Sequence, residues 1–168
     1  MDYTVAMQRA IALSEKGLGK TAPNPIVGAV IIDATGKIIA EGFHDRMNSE
    51  NHAEVVAIKA AGNQTQGATI VVTLEPCNHI GKTGSCTQAI IDSGISNVVF
   101  AVSDPNSIAS GGAAKLRAAG ITVVEGVLEE GAALSNRAWL MKIKKNRPFF
   151  TWKVAATRDG KVAATDGT

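Results

Sequence analysis

The segment ATIVVTL at residues 68–74, followed by Glu75-Pro76-Cys77, decides the fold that the sequence predicts. Seven uncharged residues rich in β-branched side chains are typical of a strand covered on both faces of a sheet. Such a strand delivers Glu75, Pro76 and Cys77 at its carboxyl end. Open α/β sheets bind ligands at that edge, so the sequence predicts a functional site there.

Strands and helices alternate on both sides of this segment. Strands are predicted at about 27–32, 37–41, 68–74, 98–102 and 121–125, and helices at about 3–16, 51–61, 86–93, 112–119 and 129–145. Residues 33–36 should join the first two strands as a hairpin. An initial hairpin followed by this alternation predicts a three-layer α/β/α sandwich with a mixed central sheet.

Composition and charge narrow the class of protein. The chain has 168 residues, of which 45% are hydrophobic and 19% charged, as in ordinary globular proteins. A net charge of +2 is too small to indicate a nucleic-acid partner. No apolar run approaches the length of a membrane span, and Met1-Asp2-Tyr3 does not begin a signal segment. We therefore expect a cytoplasmic enzyme with neither a membrane nor a nucleic-acid partner.

His52, Cys77 and Cys86 are candidate ligands of one zinc ion. Imidazole nitrogen and thiolate sulfur are ligands that zinc prefers, and three of them leave a fourth position for water or substrate. Glu54 lies two residues beyond His52 and is not needed to hold the metal. A carboxylate at that place suits the transfer of protons in a hydrolytic reaction.

Two alternatives compete with a catalytic zinc site. A structural zinc site would need a fourth ligand, which His79 or His44 could supply. Such a site has no use for Glu54, which favours catalysis. Cys77 and Cys86 could instead form a disulfide, but without an export signal a reduced pair is favoured.

Asn24 and His44 are weaker candidates for a binding role. Asn24 lies between Pro23 and Pro25, whose rings fix the backbone, so its amide could be aimed at a ligand or could cap a turn. His44 is a loop histidine only eight positions before His52.

With these residues in place, the chain resembles the deaminase half of the bifunctional riboflavin-biosynthesis deaminase/reductase family, of the cytidine-deaminase-like superfamily. Matching stretches are distributed along essentially the whole chain, at residues 23–30 (PNPIVGAV), 52–55, 73–86, 104–106 and 147–161. The eight residues between Cys77 and Cys86, with His-x-Gly-Lys-Thr among them, are the most specific feature, because nucleic-acid deaminases usually have two residues there. Ser107 departs from the family pattern, which often has proline at that place.

The resemblance implies hydrolytic deamination of 2,5-diamino-6-ribosylamino-4(3H)-pyrimidinone 5′-phosphate. It implies that zinc is bound by His52, Cys77 and Cys86 and that Glu54 is the proton shuttle. The positions where the family contacts its substrate are Asn24, His44, Lys82, Asp104 and Asn106. Lys82 suits the phosphate, because an ammonium is a compact point charge. A homo-oligomer is also expected.

The same resemblance divides the chain. Residues 1–146 match a zinc-dependent deaminase domain, and residues 147–168 match the start of a reductase domain that uses NADPH. Residues 142–148 are basic and predict a solvated linker. Residues 149–156 predict a strand, and Asp159-Gly160 a turn. Because this segment is too short to form a core, we expect deamination without reduction.

Overall fold

The computed structural model describes residues 1–79 and 84–163, and these residues contain five strands and six α-helices. The strands are β1 (Gly28–Ile32), β2 (Ile38–Phe43), β3 (Thr69–Leu74), β4 (Asn97–Val102) and β5 (Thr122–Glu125). The helices are α1 (Thr4–Glu15), α2 (Ala53–Ala61), α3 (Cys86–Asp92), α4 (Gly112–Ala118), α5 (Glu129–Ser135) and α6 (Arg137–Lys145). A 3₁₀ turn at Gly62–Thr65 follows α2.

The strands form one mixed sheet in the order β2-β1-β3-β4-β5. β1 pairs antiparallel with both β2 and β3, whereas β3, β4 and β5 run parallel. Every residue of β1 and β3 is buried, as expected for central strands covered on both faces. The carboxyl end of β3 therefore lies in the middle of one edge of the sheet, where the sequence predicts a functional site.

Two glycines allow helices to approach opposite faces of the sheet closely. A Cβ atom at Gly28 would lie 2.0 Å from the Ala10 carbonyl oxygen of α1, and one at Gly42 would lie 2.4 Å from the Ala53 carbonyl oxygen of α2. Gly42 is paired with Ala29, the neighbour of Gly28, so the two glycines face opposite sides. α1 and α5 cover one face and the series α2, α3 and α4 the other, which confirms the three layers.

The predicted 129–145 helix is wrong, because two helices meet at Asn136. The buried Asn136 side chain binds the backbone of Ile26: its Oδ1 accepts from the Ile26 N–H at 3.1 Å, and its Nδ2 donates to the Ile26 carbonyl at 2.7 Å. These bonds join residues 110 positions apart. Pattern alone could not indicate the break, because the apolar spacing continues across it.

The strand predicted at 149–156 is also wrong. Residues 147–163 contain neither helix nor strand, and all of them are exposed. Trp152 is 91% exposed and Phe150 81%, so their apolar surface finds no place in the core. The predicted turn near Asp159 is present, with a Gly160 N–H bond to the Thr157 carbonyl. Of the helices in the described part of the chain, none has the length and apolar character to span a bilayer.

We expect Asn136→Ala to lower the free energy of unfolding by about 2 kcal/mol, because it leaves a buried N–H and a buried carbonyl of Ile26 unpaired. Urea denaturation of wild type and variant measures this difference. Asn63→Ala, an exposed change in the 3₁₀ turn, is the control and should change stability by less than about 0.5 kcal/mol. Equal effects of the two substitutions would contradict this role of Asn136.

Candidate zinc centre and active site

His52 lies immediately before α2, not within its first turn as the sequence predicts. Its backbone is extended, with φ −71° and ψ 164°, and its carbonyl accepts the first helical hydrogen bond, from the Val56 N–H. Residues two apart on a regular helix project in different directions. The extended backbone of His52 frees its side chain from that constraint, and both His52 and Glu54 line the same cavity.

The two cysteines come from the end of β3 and the start of α3. Cys77 follows Glu75-Pro76, and Cys86 is the first residue of α3, whose start is capped by Ser85 through a bond from the Gln88 N–H to its Oγ at 3.2 Å. The Cys86 backbone N–H points to the Cys77 Sγ at 3.4 Å. Both thiols are free and buried, so the disulfide alternative is absent from this structure.

The three candidate ligand atoms have the spacing of a zinc site. The His52 Nδ1 lies 3.2 Å from the Cys86 Sγ and 3.6 Å from the Cys77 Sγ, and all three atoms lie within 4.8 Å of one another. Tetrahedral zinc, with bonds of about 2.0–2.1 Å to nitrogen and about 2.3 Å to sulfur, separates nitrogen from sulfur by about 3.5 Å. The donor set therefore fits zinc in both chemistry and distance.

Electrostatics at this cluster favour metal binding. The Cys86 thiol and the His52 ring hydrogen-bond to the Cys77 sulfur and lower the pKa of Cys77 to about 4. The same shared proton, together with burial, raises the pKa of Cys86. The hydrogen bond to Cys77 raises the pKa of His52. These shifts come from hydrogen bonds among three close candidate ligands, and a bound cation would replace the protons of those bonds.

Glu54 is buried beside this cluster, with 3% of its surface exposed. Burial raises the pKa of its carboxyl group above the ordinary value. Among the described residues, the group of potential metal ligands consists of His52, Cys77 and Cys86 without Glu54. A buried carboxyl group that lines the cavity and lies outside the ligand set is suited to proton transfer.

Asn24 and His44 form a pair on one side of the cavity. The His44 Nδ1 lies 3.2 Å from the Asn51 carbonyl, which can only accept, so Nδ1 carries the proton. The Nε2 of the neutral ring then accepts from the Asn24 Nδ2 at 3.4 Å. Burial lowers the pKa of His44 and keeps this ring neutral. Its ring packs edge-on to His52, with centroids 5.1 Å apart.

Asp104 and Asn106 also line the cavity, from the loop that follows β4. The Asp104 Oδ1 accepts from the Asn106 N–H at 2.8 Å, and burial raises the pKa of Asp104. Glu75 accepts from the Asp104 N–H at 3.1 Å. Sequence reasoning assigned Glu75 no role, although a carboxylate at the end of a buried strand was a signal for one.

The cavity has a volume of about 320 Å³ and a wall that the sequence did not predict. Trp139, Lys142 and Ile143 of α6 line it, at the i, i+3, i+4 spacing of one helix face. Lys142 belongs to the segment predicted to be a solvated linker. Its helical spacing from Trp139 was the signal that could have identified this wall.

The structure brings together most of the predicted site residues around this cavity: Asn24, His44, His52, Glu54, Cys77, Asp104 and Asn106. Cys86 joins through the ligand cluster. His79 also lines the cavity, but within residues 1–79 and 84–163 neither His79 nor His44 belongs to the ligand group, so neither supplies a fourth ligand here. Lys82 lies outside the described residues.

The fold and the cluster are those of a zinc-binding deaminase. The sequence model of the cytidine and deoxycytidylate deaminase zinc-binding region matches residues 2–102, and the chain belongs to this family. It is 49% identical over 163 residues to the riboflavin biosynthesis protein RibD of Mycobacterium tuberculosis, with 96% of this chain and 48% of that protein covered. The RibD protein of Aquifex aeolicus is also 49% identical, with 96% and 45% covered.

A solved structure of similar sequence has the same fold. The diaminohydroxyphosphoribosylaminopyrimidine deaminase/5-amino-6-(5-phosphoribosylamino)uracil reductase of Thermotoga maritima superposes with a TM-score of 0.92 at 48% identity, covering 98% of this chain and 48% of that one. RibD of Acinetobacter baumannii gives a TM-score of 0.87 at 42% identity, covering 98% and 46%. The chain thus spans about half the length of these relatives.

We expect two free thiols per chain when the protein is denatured with a chelator and no reductant, because both cysteines are unpaired. Reaction with a thiol reagent counts them. Cys86→Ser is the control and should titrate as one thiol. A wild-type chain without reactive thiols would mean that Cys77 and Cys86 are oxidised to a disulfide.

Proposed function

We propose that the chain is a zinc-dependent hydrolytic deaminase acting on 2,5-diamino-6-ribosylamino-4(3H)-pyrimidinone 5′-phosphate. The observation that carries the proposal is the buried carboxyl group of Glu54 beside a His52, Cys77 and Cys86 cluster in one cavity. The substrate class is taken from the named activity of the Thermotoga maritima relative.

His52, Cys77 and Cys86 would hold the zinc ion. Zinc bound there would supply the Lewis acidity that makes a water molecule reactive near neutral pH. Two thiolates balance the charge of the cation, so the buried site carries no net charge from this group. The three ligands leave one position for water or substrate.

Glu54 would move the protons. Its carboxylate accepts a proton from the attacking water and returns it to the departing nitrogen, so that ammonia leaves as a neutral molecule. Burial serves this role, because the raised pKa of the Glu54 carboxyl group helps it to hold the proton between the two transfers.

The polar residues of the cavity would orient the aminopyrimidine. The Asn24 Nδ2 is bonded to His44, which leaves the Asn24 amide oxygen to accept from an N–H group of the base. Asp104 and Asn106 offer further polar groups in the lining of the cavity. Lys82 is proposed to bind the phosphate, in keeping with the family resemblance.

We also propose that residues 1–146 are the deaminase domain and that residues 147–168 begin a second one. The exposed backbone of 147–163 supports that boundary. In the described part, the Arg137 guanidinium lies 5.4 Å from the centre of the Phe149 ring.

The proposed reaction needs no NADPH. Cytoplasmic residence and a homo-oligomer stay predictions.

A nucleic-acid deaminase is the rival within this superfamily. The eight residues between Cys77 and Cys86 and the net charge of +2 argue against it. A single-stranded nucleic acid usually requires a basic groove with stacking aromatic side chains. Only 4% of the residues are aromatic.

Glu54→Gln should lower kcat by about 10²- to 10⁴-fold, because it removes proton transfer. It should leave zinc at one ion per chain, since Glu54 is not a ligand. Ammonia release and elemental analysis measure the two effects on the same sample. Glu130→Gln, an exposed change on α5, is the control and should keep both. Loss of zinc with surviving turnover would show that Glu54 is a ligand, and a wild-type chain without zinc would contradict the proposal.

Lys82→Ala should raise KM for the phosphorylated pyrimidine about tenfold, as expected for loss of one charged contact. KM for the dephosphorylated nucleoside should stay unchanged, and Lys59→Ala on α2 is the control. Steady-state ammonia release measures both substrates. Oligonucleotides should be poor substrates, and their rapid deamination would reverse the ranking of the two enzyme classes.

A further inference from the structure

Glu75 is a buried carboxylate that binds two backbone amides far apart in sequence. Its Oε2 accepts from the Asp104 N–H at 3.1 Å, and its Oε1 accepts from the Ala113 N–H at 3.0 Å. Only 8% of Glu75 is exposed. Asp104 and Ala113 are the two ends of the segment that leads from β4 into α4, here called the 104–113 segment. One side chain therefore holds both ends of it.

The middle of the 104–113 segment also lies against residues 76–78. The Asn78 N–H donates to the Ala109 carbonyl at 2.9 Å. A Cβ atom at Gly112 would lie 1.9 Å from the Pro76 carbonyl oxygen, so only glycine allows this approach. The segment is thus packed on the stretch of chain that carries the ligand Cys77.

Both oxygens of Glu75 are engaged with amides, although the residue lines the cavity. Within the described residues it is outside the group of potential metal ligands. Because each of its oxygens is held by a backbone amide, the carboxyl group of Glu75 faces the segment, and we assign it a role through that segment. Carboxylates suit this task, since bonds from N–H groups to a charged acceptor are stronger than those to a neutral one.

We propose that Glu75 is a positioning residue for substrate binding: by holding both ends of the 104–113 segment, it sets the place of Asp104 and Asn106 relative to Cys77. The proposal rests on the proposed function, in which Asp104 and Asn106 contact the aminopyrimidine. The substrate must meet these groups and the zinc site together, so a shift of the segment weakens binding more than it slows the chemical step.

The test is Glu75→Gln in the zinc-loaded chain. Glutamine keeps the size and one acceptor oxygen, but its NH₂ group cannot accept from an amide, so one of the two bonds is lost. We expect KM for the phosphorylated pyrimidine to rise about tenfold with kcat within about twofold, and zinc content to be unchanged. A fall in kcat at constant KM, or loss of zinc, would overturn the positioning role.

Glu41→Gln is the matched control. The Glu41 carboxylate also accepts two hydrogen bonds, both from Arg9 at 2.7 Å, but on the surface of β2. It should leave KM and kcat unchanged. If the Glu75→Gln chain does not fold, Glu75→Asp keeps the charge on a side chain too short to reach both amides, and the same rise in KM is expected.

A double-mutant cycle with Asp104→Asn separates positioning from a general loss of stability. If Glu75 acts partly through Asp104, Glu75→Gln should raise KM by clearly less than tenfold when Asp104 is already Asn, because only the part transmitted through Asn106 remains. An unchanged tenfold effect in that background would refute the link between the two residues.

Hydrogen exchange supplies a readout that does not depend on activity. One of the two amides that Glu75 binds, of Asp104 or Ala113, should lose protection in Glu75→Gln, whereas the Gly28 amide, bonded to the Thr73 Oγ1 at 3.1 Å, should keep it. If the variant loses that protection but the wild-type chain does not deaminate the pyrimidine, the proposed function is refuted and the hold of Glu75 on the segment stands. Unchanged protection of both amides would refute the claim that Glu75 holds the two ends of the 104–113 segment.

Discussion

The burial of β3 on both faces is the constraint on which the rest of the structure depends. The chain leaves a central strand in the middle of the sheet edge. The polar groups of the residues that follow must find hydrogen-bond partners there. In this chain Glu75 binds the turn after β4, and Cys77 meets Cys86 at the start of α3. The candidate zinc cluster therefore lies at the edge of the core, and the core fixes the position of the backbone that carries it.

The charges of the buried ionisable side chains around the cluster are balanced by their neighbours. The candidate ligand atoms of His52, Cys77 and Cys86 lie at distances near those of a zinc site, and Glu54 is buried next to them. An isolated charge would be costly at these buried positions. Each of these ionisable side chains therefore has a hydrogen-bond partner, a shifted pKa or a position from which it could bind a cation. This arrangement links the stability of the site to its chemistry, because the same burial that penalises a bare carboxylate makes Glu54 able to take up a proton.

The wall formed by α6 depends on a contact that spans most of the chain. Asn136 ends one helix, begins the next and binds Ile26, two residues after Asn24. That contact brings Trp139 and Lys142 to the cavity that Asn24 lines. One wall of the cavity thus depends on a polar contact that lies outside it.

The sequence by itself determined the strands of the sheet, its layers and the candidate zinc ligands, because strands follow from local residue patterns and candidate ligands from side-chain chemistry. The run at 68–74 predicted β3, and His52, Cys77 and Cys86 predicted the ligand set that the structure brings together. Only the tertiary structure decided the extended backbone of His52, the break at Asn136, the absence of a strand at 149–156 and the two amides bound by Glu75. Each of these four features depends on whether partners distant in sequence are present. A local residue pattern cannot predict that.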